Sequence, residues 1–162
     1  MELIPQQIAS PDGIGCSYYR VAEYETSHVS DGIFPHILVV AFSGVYPDGS
    51  RGNEHGHFIA NSTLLGLVAF DPWCVILDFR DLRYEWGNTL LGVFDVIERY
   101  MRDDPGDPPG SPFPVVVVTS DKCRNALLSL VARSGTEPEW HFSEMDAAID
   151  FATMSACKWI DS

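Results

Sequence analysis

Three short runs do most to limit what this chain can fold into: Ile37–Ala41 (ILVVA), Val75–Asp78 (VILD) and Val115–Val118 (VVVV). Apolar residues follow one another there without alternation. A strand with one wet face alternates apolar and polar side chains, whereas a strand covered on both faces need not. Runs of four or five are also too short for helices. The three runs therefore predict adjacent, mainly parallel, almost fully buried strands with helices on both sides of the sheet.

The text between them supplies those helices. His36–Tyr46 reads as a central strand, and Ser17–Thr26 alternates as an edge strand should, after a lead-in over 1–16. PDGSRGN at 47–53 is turn-rich. Glu54–Phe70 reads as a helix stopped by Asp71 and Pro72, followed by a strand at Cys74–Arg80. RYEWG is a polar turn, and Asn88 or Thr89 caps a second helix with Leu90, Phe94, Ile97 and Met101 on one face. DDPGDPPGSPFP at 103–114 excludes helix and interior strand, because proline fixes the backbone and removes donors. Asp121 caps a third helix to about Arg133, with Gly135 ending it. Glu139–Phe142 is a short last strand. Ser143 with Asp146 opens a fourth helix with Met145, Ile149 and Ala152 inward. Strands alternating with helices, with no second core, predict one α/β domain over 1–162, with a mixed, mostly parallel sheet of four or five strands and about four helices.

Charge and composition exclude some functions. The net charge is −13, from 23 acidic against 10 basic residues. Nucleic acid and anionic membranes, which need clustered cations, are disfavoured as partners. No apolar run approaches the roughly 20 residues that span a bilayer, and the N-terminal residues carry no secretion signal, so the expected location is cytoplasmic. Cys16, Cys74, Cys123 and Cys157 form no CxxC pair and read as free, buried thiols.

Candidate chemistry is sparse. Glu54, His55 and His57 could place a metal-dependent enzyme site, but two convenient further ligands are lacking, and no metal is expected. Asp78 and Asp81 could act as paired carboxylates, or serve as strand-end charges paired with Arg80 or Arg83. No nucleophile elbow or phosphate-binding glycine loop is present, so no cofactor or catalytic residue is expected. Trp86, beside Tyr84 and Glu85 in a turn at the sheet's carboxyl edge, is a candidate anchor for a protein partner.

The element order, with HILVVAFSGVY, CVILDFRDL and WHFSEMDAAIDF, resembles the STAS fold of anti-sigma-factor antagonists and sulfate-transporter tails over about 36–154. Leu91, Gly92, Val93 and Phe94 match that family's Leu-Gly-x-Leu. Its preceding Asp-Ser-Ser-Gly turn falls on Gly87, Asn88, Thr89 and Leu90, so only Thr89 retains a hydroxyl at a phosphorylatable position. The resemblance implies a small, non-catalytic domain that docks on another protein. The expected contact is Glu85, Trp86, Gly87, Asn88 and Thr89, with Asp103, Asp104 and Asp107. The acidity suggests a basic partner and, most concretely, an immunity or antitoxin protein. A STAS-type regulator switched at Thr89 and the metal-dependent enzyme are the alternatives.

Overall fold

The computed structural model describes residues 10–21, 34–102, 112–132 and 135–162. In chain order it contains β1 (Ile14–Arg20), β2 (Ile37–Val45), α1 (Asn53–Phe70), β3 (Cys74–Arg83), α2 (Gly92–Met101), β4 (Val115–Val118), α3 (Arg124–Val131), β5 (His141–Phe142) and α4 (Met145–Ile160). The strands form one sheet in the order β1-β2-β3-β4-β5. β1 is antiparallel to β2, and every other neighbouring pair is parallel. This is the single α/β domain with a mixed, mostly parallel sheet expected from the sequence. The three apolar runs are adjacent and buried as their composition requires.

Each parallel step moves one place across the sheet in the same direction. Right-handed crossovers then put α1, α2 and α3 on one face. Ile59 and Leu67 of α1, Val93 and Ile97 of α2 and Leu127 of α3 share a core there with Val40, Leu77 and Val117 of the strands. α4 covers the other face. Its Ala148, Ala152 and Ala156 recur every four residues and sit on Ile37, Ile76 and Val116. Small side chains at that spacing let the helix lie close to the sheet.

The chain departs from expectation mainly at its turns. β1 begins three residues before the expected edge strand and takes in part of the lead-in; residues 22–33 lie outside the described residues. β3 runs three residues further than Arg80, because a bulge intervenes. Ala41 pairs with Asp78 but Ser43 pairs with Asp81, so β3 carries one extra residue. Asp78 Oδ1 accepts the Arg80 N–H at 3.1 Å, replacing a ladder bond. The bulge turns both Phe79 and Leu82 into the same core, although they are three apart.

Several expected caps do not form. Asp121 lies in a turn, and Ser120 organises the start of α3. Its carbonyl accepts from Cys123 and Arg124, and its hydroxyl donates to the Arg80 carbonyl at 2.6 Å. α4 starts after Glu144 with no side-chain cap. β5 shrinks to two residues. Cys74 and Cys123 are buried, whereas Cys16 and Cys157 are only half-buried. Among the described residues, no helix is long and apolar enough to cross a membrane.

Candidate functional site

The carboxyl ends of β2 and β3 and the turns after them converge on Tyr46. Its N–H donates to the Arg83 carbonyl at 2.8 Å, which extends the β2–β3 pairing by one residue. Its ring is buried and meets Tyr84 edge-on, with centroids 5.2 Å apart. The Tyr84 hydroxyl donates to the Gly87 carbonyl at 3.0 Å, closing the turn from below. Burial, with Tyr46 beside it, pushes the Tyr84 phenol up to about 12. Gly87 has φ +147°, and a Cβ there would lie 3.0 Å from the Tyr46 ring. Gly87 is itself buried, so its part in the site is backbone shape.

This packing pushes Trp86 outward. The indole is 60% exposed. Its underside rests on Gly49 in the 3-10 turn Gly49–Gly52, where a Cβ would come within 2.6 Å of Cη2. Glu85 is exposed and faces Arg83 at 3.6 Å, a solvated pair of little energetic weight. Beside them an open groove of about 960 Å³ runs between the end of β2 and the start of α3. Its charged lining is Arg83 and Lys122 against Asp81, Glu85 and Asp121, nearly neutral in a chain of net charge −13. Half-exposed Val45 adds an apolar wall.

Thr89 lies in the 3-10 turn Asn88–Leu91, which leads directly into α2. Neither Asn88 nor Thr89 caps that helix: Gly87 precedes the 3-10 turn and Leu91 precedes α2, with no side-chain cap at either. The Thr89 hydroxyl instead donates across to Asn53 Oδ1 at 2.7 Å, linking the turn to the first residue of α1. Behind it, the buried Tyr46 hydroxyl has no hydrogen-bond partner. Burial raises this phenol, and the nearby Leu90 amide and Thr89 hydroxyl offset part of that without closing a well-formed bond.

The other sequence candidates do not assemble. Glu54 and His57 are exposed, while His55 is buried with Nε2 on the Asp12 carbonyl at 3.2 Å. Two helix positions apart, the histidines point about 200° apart and cannot converge on one ion. The described residues hold no cluster of three metal-ligating side chains. Asp78 is taken by Arg80 in a two-pronged pair at 2.9 and 2.8 Å. Asp81 is solvated and 3.7 Å from Lys122. Asp103, Asp104 and Asp107 lie outside the described residues.

Sequence reasoning missed Tyr46, Gly49 and Asn53, although the Gly in PDGSRGN signalled a backbone position. It also missed a polar relay that runs from the core out to the surface. His141 Nε2 meets Thr119 Oγ1 at 2.7 Å, its Nδ1 meets Glu137 Oε1 at 2.7 Å, and Glu137 pairs with Arg124 at 3.0 Å. Glu137 only accepts, so Nδ1 carries a proton towards it. With Thr119 1% exposed, this is a clamp between β4 and β5 and offers no open nucleophile.

No family model matches the chain, and no curated protein matches it. Among solved structures it is similar to an anti-sigma factor antagonist from Mycobacterium paratuberculosis, at 17% identity and a TM-score of 0.45, over 84% of this chain and 94% of that one.

Proposed function

We propose that this domain is a non-catalytic regulator that docks on another protein through its carboxyl edge, with Trp86 as the anchor and Thr89 as the residue that switches the contact. A cytoplasmic setting goes with this reading. The observation that carries it is the exposure of Trp86. A tryptophan held out on a glycine platform, beside a groove and a solvated rim of Glu85, Asn88 and Arg83, has the make-up of an interface centre. Asp103, Asp104 and Asp107 belong to the same proposal as its acidic contribution.

The edge is close to neutral, so a strongly basic partner is not the best fit to it. The immunity or antitoxin reading rested on the charge of the whole chain and takes second place to a signalling role. An enzyme reading has little at this edge to work with, since the nearby tyrosines are buried and the carboxylates are solvated or paired.

The test is capture from the native cell with wild-type protein, Trp86→Ala and Thr89→Glu as baits. The proposal expects one protein held by the wild type, lost with Trp86→Ala and altered with Thr89→Glu. Turnover of a small molecule by the isolated domain, unaffected by Trp86→Ala, would overturn it.

A further inference from the structure

We infer that two copies of this chain associate through the outer edge of β1, strand antiparallel to strand about a two-fold axis, with the outward flank of α1 against its counterpart. Neither Trp86 nor Thr89 takes part, so the inference stands apart from the proposed function.

Among the described residues β1 pairs with β2 alone, which leaves its other side unpaired. The direction of its backbone groups follows from its two ends. The Gly13 carbonyl accepts from the Val45 N–H at 3.1 Å, and the Val21 N–H donates to the Ile37 carbonyl at 3.2 Å, with unbroken register between them. Odd-numbered residues therefore bond to β2, and Ile14, Cys16 and Tyr18 turn their N–H and C=O groups outward. A two-fold axis at Ser17 overlaps the whole of Ile14–Arg20 with itself. Cys16 then exchanges backbone hydrogen bonds with Tyr18 of the second copy, and Tyr18 with Cys16 of the second copy. On the face away from α1, the ring of Tyr19, 58% exposed, lies opposite Gly15 of the second copy, which has no side chain to obstruct it. The strand holds neither lysine nor proline, the residues that most often blunt a free edge.

The helix fits the same axis. Ser62, Gly66 and Phe70 of α1 rest on Tyr18. Its hydroxyl donates to the Ser62 carbonyl at 2.6 Å, and the Phe70 ring is 5.6 Å away. A Cβ on Gly66 would lie 2.8 Å from the Tyr18 ring and 3.1 Å from Leu38, so α1 runs over the boundary between β1 and β2. With strands about 4.8 Å apart, an axis just outside β1 sets α1 about 10 Å from its copy, a separation at which helices pack. The next row outward, Asn61, Leu65 and Ala69, is exposed and uncharged, with Leu65 at 61%. Charge selects the occupant. The chain carries −13, yet residues 13–20 and 55–70 contain no carboxylate. Two such molecules repel each other over most of their surface and can close only where acids are absent. A basic partner would be drawn elsewhere.

The experiment is sedimentation equilibrium of the full chain from micromolar to millimolar concentration, with amide hydrogen exchange at both ends of that range. A monomer–dimer equilibrium is expected, with protection of the Cys16 and Tyr18 amides that rises with concentration. Raising salt from about 0.05 to 0.5 M should tighten the dimer, because it screens like charges. Cys16→Pro removes an outward N–H and spares the ladder with β2, while Leu65→Asp brings two carboxylates together across the axis. Each should weaken dimerisation about tenfold or more. Leu65 lies at the surface, so Leu65→Asp keeps the test open if the proline disturbs folding. A monomer at every concentration overturns the inference. So does a dimer that Leu65→Asp leaves intact, or one that salt dissociates. Protection of Cys16 and Tyr18 already complete in the monomer overturns it too, since another segment of the chain would then cover the edge.

Discussion

Gly49 lies beneath the indole of Trp86, close enough that one methyl group on residue 49 would stand 2.6 Å from the ring. Gly49 also has φ +61°, where a side chain costs about 1–2 kcal/mol. Gly49→Ala is expected to lower stability by about that amount and to tilt the ring off its platform. The Trp86 indole N–H resonance should move and partner affinity should fall towards that of Trp86→Ala. An unchanged indole resonance would rule out the platform.

Trp86→Ala should separate binding from folding. The ring is mostly in water, so its removal should change stability by no more than about 0.5 kcal/mol. If it is the anchor, the complex should weaken by about 2 kcal/mol or more, mainly through faster dissociation. Urea unfolding and dissociation rates measured on one preparation check both halves. A loss of stability matching the loss of affinity would point to a structural role.

Gly56→Ala pits two effects against each other. Alanine inside a helix is worth about 1 kcal/mol over glycine. The new Cβ would meet Tyr46 Oη and Thr89 Cγ2 at 2.8 Å and the Thr89 backbone at 2.9 Å, and overpacking of this kind costs about 1–3 kcal/mol. Backbone cannot swing aside, so net destabilisation of about 1–2 kcal/mol is expected, with faster hydrogen exchange over residues 88–91. A more stable variant would mean that the α1 contact with the turn is loose.

Asp78→Ala should strike the β3 bulge. It removes both prongs on Arg80 and the bond to the Arg80 N–H. Arg80 is partly solvated, so the expected loss is about 1–2 kcal/mol, short of a buried pair's value. Asp78→Asn keeps a carbonyl for the Arg80 N–H and should recover part of it. Equal losses in the two variants, read by urea midpoint, would dismiss the role of that backbone bond.

The Glu137 carboxyl is held below its ordinary range, first by its bond to His141 and then by Arg124. A depressed carboxylate contributes stability that is fully present above its unfolded value, about 4.3, and is lost as pH falls through the folded value. Wild type and Glu137→Gln should therefore differ most at neutral pH and converge below about pH 4. Urea midpoints at pH 7 and in acid check this; a constant gap would remove the ionic part of the clamp.

The architecture was legible because VILD and VVVV can be buried only between two layers, and burial alone sets their neighbours. Helix starts depart from expectation at Asn88 or Thr89, at Asp121 and at Ser143. Residues that cap well also bond elsewhere: the Thr89 hydroxyl is claimed by Asn53, 36 positions away, and at α3 the Ser120 carbonyl takes up the first N–H groups. The exposed turn around Trp86 could be read because it is local in sequence. Tyr46 could not, since a tyrosine at the end of an apolar strand looks like core, and its unpartnered hydroxyl exists only once α1 and the Thr89 turn close over it. The clamp was invisible too: Thr119 and His141 are 22 residues apart and neither sits in a recognisable motif.

The sheet follows the chain, β1 to β5, with no strand slotted between two already paired. A polypeptide leaving the ribosome can therefore lay each new strand against the one just made, closing only the loop that its intervening helix spans. No early pairing has to be undone to admit a later one. β1 stays one edge throughout; the edge that advances with synthesis is finished by two residues, His141 and Phe142, too few to offer a stray chain a template.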